Sequence, residues 1–240
     1  MRYQGNYGSG PNGMNYTQLS NAIQAYTENT EADFVANIPV FVTQAEQRIY
    51  NTVQFPSIRK NVYGQVTANN NYLQCPTDFL AVYSLAIITG VTGGDLNTGT
   101  YEYLLNKDVN FIRQAYPTAN DTGLPRFYAL FGPRSDNADE LTFILGPTPD
   151  SGYYTELHYY FYPESITVAA DGRTWLGDNF DSVLLYGSLV EAYTYMKGEQ
   201  DMMLLYNTKY QEALGLAKRL GDGMERQDAY RSGQFRQKVT

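Results

Sequence analysis

The apolar spacing of this chain is helical at both ends and short-period in the middle, and that distribution limits the possible folds more than any single residue does. Residues 175–220 read as an αα-hairpin. Asp178 or Asn179 is the expected cap of its first helix, which should run to about Met196 before Gly198 breaks it. The second helix, 199–220, places Met202, Leu205, Tyr206, Tyr210, Ala213, Leu214, Ala217 and Leu220 at helical spacing, and Gly221 and Gly223 should end it. The other helical stretches lie at the far end of the chain. Asn15 or Thr17 can cap a short helix to about Thr27 with Leu19, Ala22, Ile23 and Tyr26 on one face. Thr30 and Asp33 bound a further turn, and Pro39 suits the first turn of a helix whose stripe is Phe41, Val42, Ala45, Ile49 and Val53, stopping before Pro56.

Between these regions the sequence is rich in turns and strand formers. Residues 60–66 and 72–75 flank an Asn-rich turn at 68–71 and read as a hairpin. Segment 79–89 is apolar enough for a buried strand, 90–100 is a glycine-rich loop expected to break the sheet, and 106–115 fits a short helix capped by Asn106 or Asp108. Strands are expected at 126–131, 141–145 and 155–162. The last alternates Leu157, Tyr159 and Phe161 with Glu156, His158, Tyr160 and Tyr162. The fold class that follows is α+β: a helical bundle from the N- and C-terminal helices (14–55 and 174–221) carrying an inserted antiparallel β-rich domain (56–173). A glycine-rich arm (1–13) and a basic C-terminal tail (222–240) flank the whole.

Composition excludes several functions. No apolar run reaches the roughly 18–20 residues of a membrane helix, and residues 1–13 carry Arg2 without the apolar stretch of a secretory signal. With Cys75 alone, no intrachain disulfide or cysteine metal cluster is available, and Cys75 reads as a small buried hydrophobe. A net charge of -8 opposes a role in coating nucleic acid. Charge is uneven, however. Residues 217–240 hold six bases (Lys218, Arg219, Arg226, Arg231, Arg236, Lys238) and three acids, net +3, which leaves -11 on the remainder.

No catalytic constellation emerges. His158 is the single histidine, with no second imidazole to build a metal site and no evident partners for a triad. The glycines at 90–99 lack the spacing of a phosphate-binding loop. Asp178 with Asp181, and Glu199 with Asp201, stand at helix starts, where a carboxylate complements the dipole. The 23 tyrosines are the unusual feature. Tyr26, Tyr193, Tyr206 and Tyr210 fall on helical core stripes. The strand tyrosines 153, 154, 159, 160 and 162 suit a protein interface or a carbohydrate-stacking surface, because tyrosine buries much area at small entropic cost, and ordinary sheet packing suits them equally. Tyr159, Tyr160 and Tyr162, with the six C-terminal bases, are the interface candidates. No cofactor is expected.

Four strings go beyond periodicity: Thr43-Gln44-Ala45-Glu46-Gln47-Arg48-Ile49-Tyr50, Leu184-Leu185-Tyr186-Gly187-Ser188-Leu189-Val190-Glu191-Ala192, Lys197-Gly198-Glu199-Gln200-Asp201-Met202, and Tyr206 with Tyr210-Gln211-Glu212-Ala213-Leu214. In that order, over about 16–226, the chain resembles the head-to-tail adaptor (connector) proteins of tailed bacteriophages, of the tail tubular protein A type. The resemblance implies a structural virion protein, made in the host cytoplasm and placed at the head-to-tail junction. It would form a twelve-membered homo-oligomeric ring under the portal protein, meet the next tail component (a nozzle or tube protein), and continue the channel for genomic DNA without sequence-specific binding. It implies neither an enzyme nor a membrane partner. The competing reading is an aromatic-rich carbohydrate-binding tail or surface module; a carboxylate-dependent glycosidase is a third. The arm before Met14 has no counterpart in the family pattern.

Overall fold

A computed structural model describes residues 13–132 and 141–231, the last ten of these by backbone alone. The helices are α1 (Tyr16–Thr27), α2 (Ala32–Thr52), α3 (Val109–Ala115), α4 (Trp175–Asn179), α5 (Asp181–Met196) and α6 (Gln200–Arg231). The strands are β1 (Arg59–Gln65), β2 (Tyr72–Gln74), β3 (Ala81–Thr89), β4 (Thr100–Tyr103), β5 (Leu105–Asn106), β6 (Thr122–Gly123), β7 (Phe127–Phe131), β8 (Thr142–Gly146), β9 (Thr148–Pro149) and β10 (Tyr154–Tyr160). The fold is α+β and divides into two compact units, Met1–Ile58 with Pro163–Thr240, and Arg59–Tyr162. The arm at 1–12 and the end at 232–240 lie outside the described residues.

In the helical unit α5 is the central element. Its Val183, Leu184, Leu185, Leu189 and Ala192 are buried, and it packs against α1, α2 and α6. Asn15 starts α1 through a capping box with Gln18, which satisfies two backbone donors. Three expectations change. Helix α2 begins seven residues before Pro39, because Phe34 and Ile38 extend the buried stripe toward the N-terminus. Their burial offsets the roughly 3 kcal/mol that an interior proline costs. Residues 178–196 are not one helix. Thr174 caps α4, Asp178 pairs with Arg173 at 2.7 Å, and Phe180 leaves the helical conformation with its ring centred 5.1 Å from Phe55 and 5.5 Å from Trp175. Nor does α6 stop at Gly221. That glycine is buried, with Val53 Cγ1 only 3.1 Å from where a Cβ would stand, so it serves close approach and the helix continues to Arg231. The expected tail from 222 is therefore helical over its first ten residues.

The β unit has two four-stranded sheets, ordered β1-β10-β3-β4 and β2-β8-β7-β5, and a parallel pair β6-β9; the two larger sheets enclose a core of Val66, Cys75, Leu85, Ile87, Leu104, Tyr128, Phe143, Leu145, Leu157 and Tyr159. Helix α3, capped by Asp108, covers the other face of the second sheet through Ile112. The expected hairpin between 60–66 and 72–75 does not form. The turn, with Asn69 at φ 62°, carries the chain from one sheet to the other, so that Val66 and Leu73 enter the core from opposite sides. The loop at 90–99 does not break its sheet but joins β3 to its antiparallel neighbour β4.

Candidate functional site: surfaces of the two units

In the helical unit, the strings that carry the sequence resemblance meet one another. Ala45 of α2 and Tyr210 of α6 flank Gly187 of α5, each with an atom 3.2 Å from where a Cβ would stand, so any larger residue would push the three helices apart by a few tenths of an ångström. Arg48 forms an ion pair with Glu191. Glu46, 3% exposed, accepts the Ile166 backbone N–H at 3.0 Å and is further bonded by Ser165, fastening the segment after Pro163 to α2. Burial raises its carboxyl above the usual glutamate range, the two hydrogen bonds opposing. These strings thus form packing seams and ion pairs. Lys218 and Arg219 are exposed on α6; Arg226 and Arg231 lie on its last turns, and Arg236 and Lys238 fall outside the described residues.

In the β unit the strand tyrosines separate by face. Tyr159 is 1% exposed, stacks on Phe79 and donates its hydroxyl to Asp78 at 2.8 Å. Its place is the core, and as an interface candidate it is withdrawn: strand alternation turns it inward with Leu157. Tyr153 also packs against that core. Tyr160 lies on the outer face, where the Arg59 guanidinium sits 5.6 Å from its ring centroid and 5.0 Å from that of Tyr83. Tyr162 is exposed just beyond β10.

Cross-strand register assembles a larger outer surface than β10 alone indicated. One row runs Tyr63–Glu156–Ala86–Tyr103 across β1, β10, β3 and β4, flanked by Asn61–His158–Ser84 and by Gln65–Tyr154–Ile88–Tyr101. Glu156 is 8% exposed at the centre. Asn61 Nδ2 donates to it at 3.4 Å, His158 Nε2 lies 3.8 Å away, and Tyr63 bonds it as well. Hydrogen bonding to that carboxylate, and then to Tyr101, pushes the Tyr63 hydroxyl up to about 12. Ser84 Oγ is 3.2 Å from His158 Nδ1. Serine, histidine and glutamate therefore adjoin on an open sheet, where the backbone N–H groups of β10 serve its ladders to β1 and β3. The network holds side chains in place. Sequence reading missed Arg59, Asn61, Tyr63, Tyr83, Tyr101 and Tyr103, because only the strand order β1-β10-β3-β4 brings them together.

Among the described residues no cluster of three His, Cys, Asp or Glu side chains could hold a metal, and no helix is long and apolar enough to cross a membrane. What remains is a helical scaffold with a β unit whose exposed features are surfaces. A family model described as SU10 adaptor protein matches residues 14–237, spanning both units. The chain belongs to the SU10 adaptor protein family. No curated protein matches it. As a phage adaptor protein it has a structural role in the virion. The SU10 adaptor match begins at Met14, whose backbone N–H bonds Gly177 O at 3.0 Å, and so takes in the whole described helical unit from its first tethered residue.

Proposed function

We propose that this adaptor is the head-to-tail connector of its phage, of the tail tubular protein A type, acting by assembly and without catalysis. Twelve copies form a ring beneath the portal, continue the DNA channel, and present the far side to a nozzle or tube protein. Family membership carries this reading. Exposed Leu204, Leu205, Leu216 and Leu220 on α6 support it, as a helical unit meant to be packed against neighbours leaves such residues uncovered. An acidic body favours passage, because like charge keeps a duplex from adhering to the channel wall.

Electron microscopy of the protein mixed with its portal tests the reading. A twelve-fold ring on the portal is expected; a protein that stays a single copy and leaves the portal bare overturns it. The basic segment from 222 is assigned to the portal contact. Deleting 222–240 should lower recovery of portal in a pull-down while circular dichroism loses no more helix than the end of α6, and unchanged recovery refutes the assignment.

The exposed tyrosines of the outer sheet face motivate the second reading, a carbohydrate-binding module. Arg59 already covers the rings of Tyr83 and Tyr160, which leaves less aromatic face for a sugar. Glycan-array binding lost on Tyr160→Ala would favour that reading over the connector.

A further inference from the structure

The sheet β1-β10-β3-β4 has two open edges, and their chemistry matches. The ladder bond from Val66 N–H to Tyr153 O sets the phase of the first edge: Lys60, Val62 and Gly64 bond inward to β10, while Asn61, Tyr63 and Gln65 direct N–H and C=O outward. At the other edge the bond from Leu104 N–H to Leu85 O sets the phase, leaving Tyr101 and Tyr103 outward. Among the described residues no strand lies beyond either edge. Six of the seven residues of β1 are exposed, and the strand contains no proline and no bulge against β10, so that Arg59 and Lys60 at its start are the edge-guarding features it carries.

We infer that β4 of one copy pairs with β1 of the next, so that this sheet runs on from subunit to subunit around the ring. The inference rests on the ring proposed above and names its seam. Three observations carry it. Strand directions alternate across all four strands, so a copy added edge to edge in the same orientation meets its neighbour antiparallel, the more stable ladder. The contact joins two different edges, head to tail, which is the kind that generates rings. Charge and side chains also match. β1 has Arg59 and Lys60 and no acid, whereas β4 has Glu102 and no base. Lys60 and Glu102 point to the same side of the sheet, and Tyr63, Tyr101 and Tyr103 to the other. A register that sets Tyr63 opposite Tyr101 of the neighbour places Lys60 diagonal to Glu102, so Lys60, already paired with Asp78 of its own copy at 2.8 Å, gains a second carboxylate at the junction.

Two measurements on the portal-assembled protein decide the matter. With p-benzoylphenylalanine in place of Tyr63, irradiation of rings assembled from isotope-labelled and unlabelled copies should link copies into a ladder on a denaturing gel, and mass spectrometry of the linked bands should find the 100–103 peptide of the other copy, which the label separates from a link to Tyr101 of the same copy. Rings that are visible by microscopy but link elsewhere, whether β1 to β1 or β1 to the 1–12 arm of a neighbour, overturn the seam and leave the ring standing. Absence of rings before any substitution overturns both. The second measurement compares Tyr63→Pro with Tyr63→Ala: both lose the phenol and its bonds to Glu156 and Tyr101, but only proline removes the outward N–H, and the inward ladder is untouched. Ring assembly should fall at least about tenfold further in Tyr63→Pro at an equal melting temperature; equal assembly by the two variants refutes the inference.

Discussion

At Glu46 a single carboxylate is both a cost and a fastener. Burial raises its pKa above the unfolded value, so its contribution to stability is fully present below the unfolded pKa and is lost as pH rises through the folded one. Glu46→Gln keeps an acceptor for the Ile166 N–H and removes the charge. Thermal melts should therefore show Glu46→Gln at or above the parent near neutral pH, with the gap closing at about pH 4. Glu46→Ala orphans that N–H and should cost about 1–3 kcal/mol at about pH 4, the difference narrowing toward neutral pH as the parent loses stability. Gly187 is the opposite case, where absence of a side chain matters. Gly187→Ala forces Ala45 and Tyr210 apart, and chemical denaturation should show a loss of about 1–3 kcal/mol despite alanine's better helix propensity. Glu46 and Gly187 both lie in strings that marked the resemblance, but nothing in those strings disclosed that one is a buried clamp and the other a three-helix crossing.

Elements show where local rules were outweighed. Pro39 is a good helix starter placed inside α2, because the buried stripe of Phe34 and Ile38 outweighs one lost hydrogen bond. Pro39→Ala should raise the stability of the protein by about 1–2 kcal/mol in denaturant melts, the regained bond being partly cancelled by a freer unfolded chain. Phe180 breaks what spacing alone reads as one helix, since its ring fits between Phe55 and Trp175. Gly221 reads as a stop and acts as a contact point. In each case the deciding neighbour is distant in sequence, so a window of ten or twenty residues does not contain the information. The false hairpin at 60–75 has the same origin: an Asn-rich turn is equally suited to reversing a strand or to crossing between sheets.

For the whole molecule, the β unit enters and leaves through paired strands, with Arg59 opposite Tyr160. Such ends lie within about 6 Å of one another, which is why a helical unit can be assembled from both chain termini with a β unit carried between them. Replacing 59–162 by a short Gly-Ser linker should leave a protein with the helical circular dichroism of the terminal segments, and its collapse to a random-coil spectrum would refute that independence. Sequence alone determined the α+β class, the gathering of both termini into helix and a β-rich middle, because apolar periodicity records which face of each element is buried. It also carried the adaptor resemblance, in strings that turned out to be helix seams. Tertiary structure alone decided that Tyr159 is core while Tyr63, Tyr101 and Tyr103 share an outer face, and that β1 and β4 are the open edges. Strand order depends on pairings between residues up to a hundred positions apart, and no local pattern encodes which strand will lie beside which.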